Sequence, residues 1–197
     1  MRIALDIDGV LCNFNKAYAA LLAQELGEDL LPVGWAENQE CFHCWDWDTA
    51  HGYSPAVQKV VWTQRIWAND KFWAKLDPLP GATDVLRQLN WRMKDGKIDC
   101  YFVTNRSGEK AKKQTEWWLY DKGSIDYPTV LLASDKVPIL KALDVSFFAD
   151  DKLETVVQAS TYKVPTYLID APWNRQGRPE LLVAKNVREA LEKAGVL

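Results

Sequence analysis

The sequence predicts an α/β protein built on a parallel sheet, with a small, mostly helical segment inserted after the first strand. Three observations carry that expectation. The chain opens on an apolar stretch that runs into two acids and a glycine, R-I-A-L-D-I-D-G. From residue 80 onward, short apolar runs alternate with amphipathic stretches, the pattern of strand–helix–strand units. Residues 12–79 break that alternation and are rich in aromatic side chains.

In the opening stretch Ile3, Leu5 and Ile7 alternate with Ala4, Asp6 and Asp8. With a period of two, both acids leave the strand on the same side. A buried strand seldom carries acids, because an unpaired buried carboxylate is costly. Gly9 lets the backbone turn sharply and approach a ligand closely. Two acids at the carboxyl end of a first strand suit a hard cation such as Mg²⁺ and a phosphate brought to it. Taken alone, the stretch reads equally well as a strand followed by an acidic turn.

The remaining elements follow in order. Residues 13–26 read as a helix, with Phe14, Tyr18, Leu21, Leu22 and Leu26 near helical spacing and Gly27 as its stop. Residues 32–53 are irregular, with Pro32, Gly34 and Gly52. Ser54 as N-cap and Pro55 in the first position open a second helix, expected to run to about residue 68. Residues 71–79 connect back. The spacing then predicts a helix over 81–93, burying Val85, Leu86 and Leu89, and a strand over 98–103. A helix over 109–121 is ended by Gly123, and a strand follows over 129–133. Helix 137–143, strand 145–149, helix 153–160, strand 164–169 and a closing amphipathic helix 186–194 complete the series. The expected architecture is a Rossmann-like parallel sheet flanked by helices. Its core is residues 1–11 and 80–197, and residues 12–79 form the helical cap. In such sheets the ligand lies outside the carboxyl ends of the strands.

With 197 residues the chain suffices for one domain, or one domain with an insertion. Its 24 basic and 27 acidic residues leave a net charge of −3, with no basic excess to hold a long nucleic acid. No apolar run approaches the roughly 20 residues of a membrane span, and no signal-peptide pattern precedes the first strand. The expectation is a cytoplasmic protein, monomer or homodimer, with a small-molecule partner and no membrane. Of ten tryptophans, Trp35, Trp45, Trp47, Trp62, Trp67 and Trp73 precede residue 80. They read as a small core of large side chains or as a lid that stacks on a ring. Cys41, His43 and Cys44 have metal-like spacing, but a structural zinc site wants a second such pair. The stretch is read as a pocket loop with free thiols.

Four strand ends carry chemistry: Asp6 and Asp8 in D-I-D-G-V, Thr104 and Asn105 in V-T-N-R, Lys136 in S-D-K, and Asp150 and Asp151 in A-D-D-K. Each alone is an ordinary turn, strand residue or helix cap. In this order, each at an expected strand end, they resemble the four motifs of the haloacid dehalogenase superfamily of phosphotransferases. The resemblance implies that Asp6 attacks phosphorus and forms an aspartyl-phosphate. Asp8 would protonate the leaving oxygen and then activate water, and its backbone carbonyl would face the metal. Lys136 and Mg²⁺ would relieve the repulsion between carboxylate and phosphate. Thr104 and the Asn105 backbone would donate to the phosphoryl group. Asp151 resembles the direct metal ligand and Asp150 the residue that orients it or Lys136, with the reverse assignment open.

Within that superfamily the chain is similar to the 5′(3′)-deoxyribonucleotidases. D-I-D-G-V-L-C-N-F, I-W-A-N-D-K-F-W-A-K-L-D-P-L-P-G-A (residues 66–82) and L-I-D-A-P-W-N-R (residues 168–175) carry that likeness. It spans residues 5 to about 175 and implies a phosphatase acting on deoxyribonucleoside monophosphates. Phe14 and Trp67 match positions that line the nucleoside pocket, and Trp45 and Trp47 fall where the family has an aromatic pair in its cap. For Trp62 and Trp73 core packing is the preferred reading. The second motif departs from the T-S-P of the vertebrate enzymes, and Arg106 is expected to add a cation at the phosphate site. Other substrates of the same chemistry are a sugar phosphate or a nucleic-acid 3′-phosphate end. A non-catalytic nucleotide-binding module would have lost the nucleophile or a metal ligand, and neither is missing here. Water and an alcohol as acceptors are not separated by the sequence.

Overall fold

The computed structural model describes residues 1–26, 31, 33–36, 39–179 and 181–197. Among these, six parallel strands form one sheet in the order β3-β2-β1-β4-β5-β6, flanked by eight helices. The strands are β1 (Arg2–Leu5), β2 (Asp99–Thr104), β3 (Thr129–Leu132), β4 (Phe147–Asp150), β5 (Thr166–Ile169) and β6 (Val183–Ala184). The helices are α1 (Phe14–Leu26), α2 (Trp47–Ala50), α3 (Pro55–Val60), α4 (Ala82–Lys94), α5 (Ala111–Gly123), α6 (Val137–Ala142), α7 (Leu153–Thr161) and α8 (Val187–Lys193).

The strands are buried on both faces, as parallel sheets require, and their alternating side chains feed two cores. Ile3, Leu5, Phe102, Phe147 and Ala149 join one core with residues of α4, α5 and α8. Ala4, Val103 and Phe148 join the other with residues of α6 and α7. β1 lies between β2 and β4, with Ile3 opposite Cys100 on one side and Phe147 on the other. Strand order reverses there, which opens a crevice at the carboxyl ends of the central strands.

The chain leaves β1 and returns through a narrow neck. The Asn13 backbone N–H donates to Asp77 and that of Leu79 to Leu11, beside an antiparallel bridge between Cys12 and Pro78. The elements between are helical or turn-like. Ser54 caps α3 as expected, accepting from the Val57 N–H. The helix then widens into a π-helical stretch over Val61–Trp67 in place of a uniform α-helix to residue 68. Thr63 contributes to the widening, since its hydroxyl donates to the Lys59 carbonyl and the Ala68 N–H reaches back to Thr63. The stretch read as irregular holds α2 and a 3-10 turn over Gln39–Cys41, and the connector holds another over Trp73–Lys75. Gly27, read as a helix stop, and Pro32 lie outside the described residues.

Gly123 is a correction. It is the last residue of α5, and Ser124 takes the left-handed conformation after it at φ 55°. A Cβ on Gly123 would lie 2.6 Å from Leu86 Cδ1, so this glycine allows α5 to pack closely on α4. The two-residue β6, which pairs Val183 with Leu168, has no counterpart in the sequence reading.

Candidate active site

The four strand ends meet. Asp6 follows β1 and extends the ladder by one bond, its N–H donating to Ala149 at 2.9 Å. Thr104 ends β2, Lys136 caps α6 after β3, Asp150 ends β4 and Asp151 follows it. Lys136 Nζ lies 2.7 Å from Asp150 Oδ2 and 2.9 Å from Asp6 Oδ1. The contact to Asp6 is an ion pair without hydrogen-bond geometry. Asp6 Oδ1 and Asp151 Oδ1 are therefore buried carboxylate oxygens with no hydrogen-bond donor.

Asp6, Asp150 and Asp151 each offer an oxygen within 4.8 Å of the others, the one such cluster among the described residues. Three buried acids face a single lysine. Burial pushes the Asp6 carboxyl up to about 7, with Lys136 opposing the rise and Asp150 and Asp8 adding to it. Burial, then Asp150 and Asp6, push Asp151 well above the ordinary carboxylate range. Burial alone would lower Lys136, but Asp150 and Asp6 outweigh it and raise the ammonium above its usual value. Orphaned oxygens, hard donors and excess negative charge together fit Mg²⁺. Asp6 and Asp151 would hold it, while Asp150 is engaged by Lys136 and by the Lys152 N–H at 2.8 Å.

Asp8 stands beside this floor with 22% of its side chain exposed. Thr104 Oγ1 donates to its Oδ2 at 3.3 Å and Cys12 Sγ to its Oδ1 at 3.1 Å. Arg106 does not project toward a phosphate as the sequence suggested. Its side chain is fully buried and forks onto Asp8, and it is absent from the cavity wall among the described residues.

A cavity of about 430 Å³ opens above the floor. Asp6, Asp8, Thr104, Asn105, Lys136 and Asp151 line its base. Phe14, Trp45, Trp47, Trp62 and Trp73 wall it. Phe14 is at the centre of that wall, with ring centroids 5.7 Å from Tyr18, 5.7 Å from Trp62 and 5.8 Å from Trp73. Trp47 is buried and its Nε1 donates to Asn15 Oδ1, whereas half-exposed Trp45 is covered by Lys152 Nζ, 4.9 Å from its ring centre. Trp67 departs from the position the resemblance implied: it is 47% exposed and outside the wall. Within the same stretch Val61 and Ile66 are buried and Trp62 reaches the cavity. His43 and His51 lie 6.1 Å apart, and all four cysteines are free thiols.

The sequence profile of the family described as 5′ nucleotidase, deoxy (pyrimidine), cytosolic type C protein matches residues 1–192. The chain belongs to that family. It is thereby a phosphoric monoester hydrolase of the 5′-nucleotidase type. Among curated proteins none matches by sequence. Solved structures share its fold. A haloacid dehalogenase-like hydrolase from Streptococcus pneumoniae superposes with TM-score 0.59 at 14% identity, covering 98% of this chain and 96% of its own. A HAD family hydrolase from Deinococcus radiodurans, with bound phosphate and sodium, gives 0.55 at 14% identity over 100% and 96%. A Bacillus subtilis protein described as a HAD-type hydrolase, bound to magnesium, gives 0.58 at 12% identity over 98% of both chains.

In this nucleotidase the sequence reading left Trp173 without a role. Its Nε1 donates to Asp151 Oδ2 at 2.9 Å, while Asn174 Nδ2 donates to the Asp151 carbonyl at 2.7 Å. The rule that found the other residues would have found these, because they follow the carboxyl end of β5. Gly9 earns its place twice. Its φ is +77°, and a Cβ there would sit 2.1 Å from Asp151 Oδ2. Gly9→Ala is expected to displace Asp151, weakening metal affinity about 10- to 100-fold on top of a backbone cost of roughly 1–2 kcal/mol. Calorimetric titration with Mg²⁺ measures it, and an unchanged affinity would refute this account of the turn.

Proposed function

We propose that the nucleotidase hydrolyses deoxyribonucleoside monophosphates, with Mg²⁺, through an aspartyl-phosphate on Asp6. The observation that carries this reading is the junction of a nucleophile–lysine–acid floor with an aromatic-walled cavity of about 430 Å³. The phosphate would rest on the floor and the nucleobase against the wall, where stacking is worth about 1–3 kcal/mol per base. Bound Mg²⁺ would neutralise phosphoryl oxygens and lower the repulsion that an anionic ester meets from Asp6.

The side chains then divide the work. An Asp6 carboxylate oxygen bonds to phosphorus as the ester P–O bond breaks, and Lys136 offsets the charge gathered on the phosphoryl oxygens. Asp8 gives its proton to the departing sugar oxygen. It then takes a proton from a water whose oxygen attacks the phosphorylated Asp6, releasing inorganic phosphate and regenerating the carboxylate. Asn105 would supply a hydrogen-bond donor at the base of the cavity, beside Thr104, whose hydroxyl donates to Asp8. The helical insertion, residues 12–79, acts as a cap that closes over the substrate and excludes bulk water. The net charge of −3 supports a free nucleotide, not a long nucleic acid, as substrate. No helix among the described residues is long and apolar enough to cross a membrane. The cytoplasm is the proposed location.

The deciding experiment is phosphate release from deoxy- and ribonucleoside monophosphates, with Mg²⁺ and with EDTA. Metal-dependent turnover that favours deoxynucleotides over ribonucleotides and over a bare sugar phosphate is expected. Equal turnover of sugar phosphates would sink the nucleotide assignment while leaving the phosphatase chemistry in place.

A further inference from the structure

Arg106 is fully buried in a position where each guanidinium nitrogen is engaged. Nε donates to Asp8 Oδ2 at 3.0 Å and Nη2 to Asp8 Oδ1 at 2.9 Å. Nη2 also contacts Cys12 Sγ at 3.1 Å, and Nη1 donates to Thr115 Oγ1 at 3.0 Å. Thr115 is itself fixed, its hydroxyl donating to the Ala111 carbonyl at 2.8 Å. The guanidinium carbon lies 4.9 Å from the ring centre of Trp73, whose Nε1 donates to Ser107 and whose backbone N–H donates to Gln114. The guanidinium is thus held at one end by α5, on one face by a cavity tryptophan, and at its fork by Asp8.

A buried ion pair is a poor source of stability, because desolvating both charges consumes most of the attraction. A planar fork does something a point charge does not: it fixes the plane of the carboxylate it binds. Asp8 still reaches the cavity, and Thr104 and Cys12 add a donor to each of the two oxygens that the fork holds.

We propose that Arg106 is a positioning residue for proton transfer, setting the Asp8 carboxylate toward the oxygen that leaves phosphorus. The inference rests on the assignment of Asp8 as proton donor. It replaces the expectation that Arg106 binds phosphate: the guanidinium acts on the reaction only through Asp8.

The role has a signature that a merely structural one lacks. Protonation matters most for a poor leaving group, such as an alkoxide, and little for p-nitrophenolate, which departs unaided. The test compares kcat/KM for p-nitrophenyl phosphate, phenyl phosphate and simple alkyl phosphates in the wild type, Arg106→Met, Arg106→Lys and Asp8→Asn. This constant reports phosphorylation of Asp6 and not the later attack by water. Arg106→Met is expected to lose about 100-fold on alkyl phosphates and under about tenfold on p-nitrophenyl phosphate. Arg106→Lys, which keeps the charge without the fork, should recover only part of the loss. In the Asp8→Asn background Arg106→Met should add no further leaving-group dependence. Equal losses on every ester would overturn the proposal, as would full recovery by lysine. Should Arg106→Met unfold, Thr115→Val removes one anchor of the guanidinium without touching Asp8. It should give the same leaving-group pattern in smaller measure, and a uniform loss there would overturn the proposal equally. The ester series does not depend on nucleotides being substrates, so its outcome is separate from that of the nucleotide assignment.

Discussion

Asp6→Asn is expected to abolish phosphate release, with a loss on the order of 10⁴-fold or more, as for removal of other covalent nucleophiles. An amide oxygen is a far weaker nucleophile than a carboxylate, and the substitution also removes one of the two groups assigned to hold Mg²⁺. The fold should not suffer. Asp6 is 6% exposed and burial pushes its carboxyl up to about 7, so a neutral isostere relieves a desolvated charge. Lys136 keeps its hydrogen bond to Asp150 at 2.7 Å. The metal-free variant is therefore expected to melt at or above the wild-type temperature at neutral pH while being inactive. Thermal melts and a phosphate assay on the same preparations measure both quantities. Activity within about tenfold of wild type would exclude the covalent route. A much lower melting temperature would show that Asp6 serves the fold as well as the reaction.

The opposite signs of those two effects explain why the floor was legible in the sequence. Two acids in an apolar strand contradict what the fold alone would choose, and such local conflicts collect at functional sites. Asp6, Asp8, Asp150 and Asp151 all interrupt the apolar runs at the carboxyl ends of β1 and β4, and the topology brings those strands side by side. The cavity wall was less legible because a tryptophan on a helix face looks the same whether it meets a core or a void. The π-helical stretch over Val61–Trp67 compounds the difficulty, since its wider turn shifts which side chains share a face. Trp62 lines the cavity, where core packing was the preferred reading, and Trp67 meets solvent, where the family resemblance implied a pocket position. Arg106 was misread for a different reason. Its partners Thr115 and Trp73 come from α5 and from the inserted segment. Nothing within V-T-N-R could show that the side chain turns inward. The two-residue β6 lies below the length at which alternation carries any signal.

Removing the metal should make stability fall as pH rises, the reverse of ordinary acid denaturation. Asp6 and Asp151 both have carboxyls raised by burial, Asp6 to about 7. Such a group holds its proton in the folded state at a pH where the unfolded chain has released it. The stability it contributes is present below the unfolded value, 3.8, and is lost as pH rises toward about 7 for Asp6. The slope reaches about 1.4 kcal/mol per pH unit for each proton so retained. Asp126, Asp170 and Glu189 are shifted the other way, Asp126 and Glu189 chiefly by hydrogen bonds from lysines and Asp170 by Arg175 and Arg178 against burial. Their contributions are lost only as pH falls through the ordinary carboxylate range and below, so these three do not contribute to a decline between about pH 5 and about pH 8. Mg²⁺ competes with protons for the same oxygens. In EDTA the melting temperature should therefore decline across that interval by several degrees, at about 2–4 °C per kcal/mol for a chain of this size. The gain on adding Mg²⁺ should grow with pH, being small near pH 5, where protons already occupy the acids, and largest near pH 8. Melting curves with EDTA and with saturating Mg²⁺ measure both trends. A Mg²⁺ gain independent of pH would mean that the ion binds elsewhere than at Asp6 and Asp151. A rise of the EDTA melting temperature across the same interval would mean that these acids are ionised in the empty site, their burial offset by water and by Lys136.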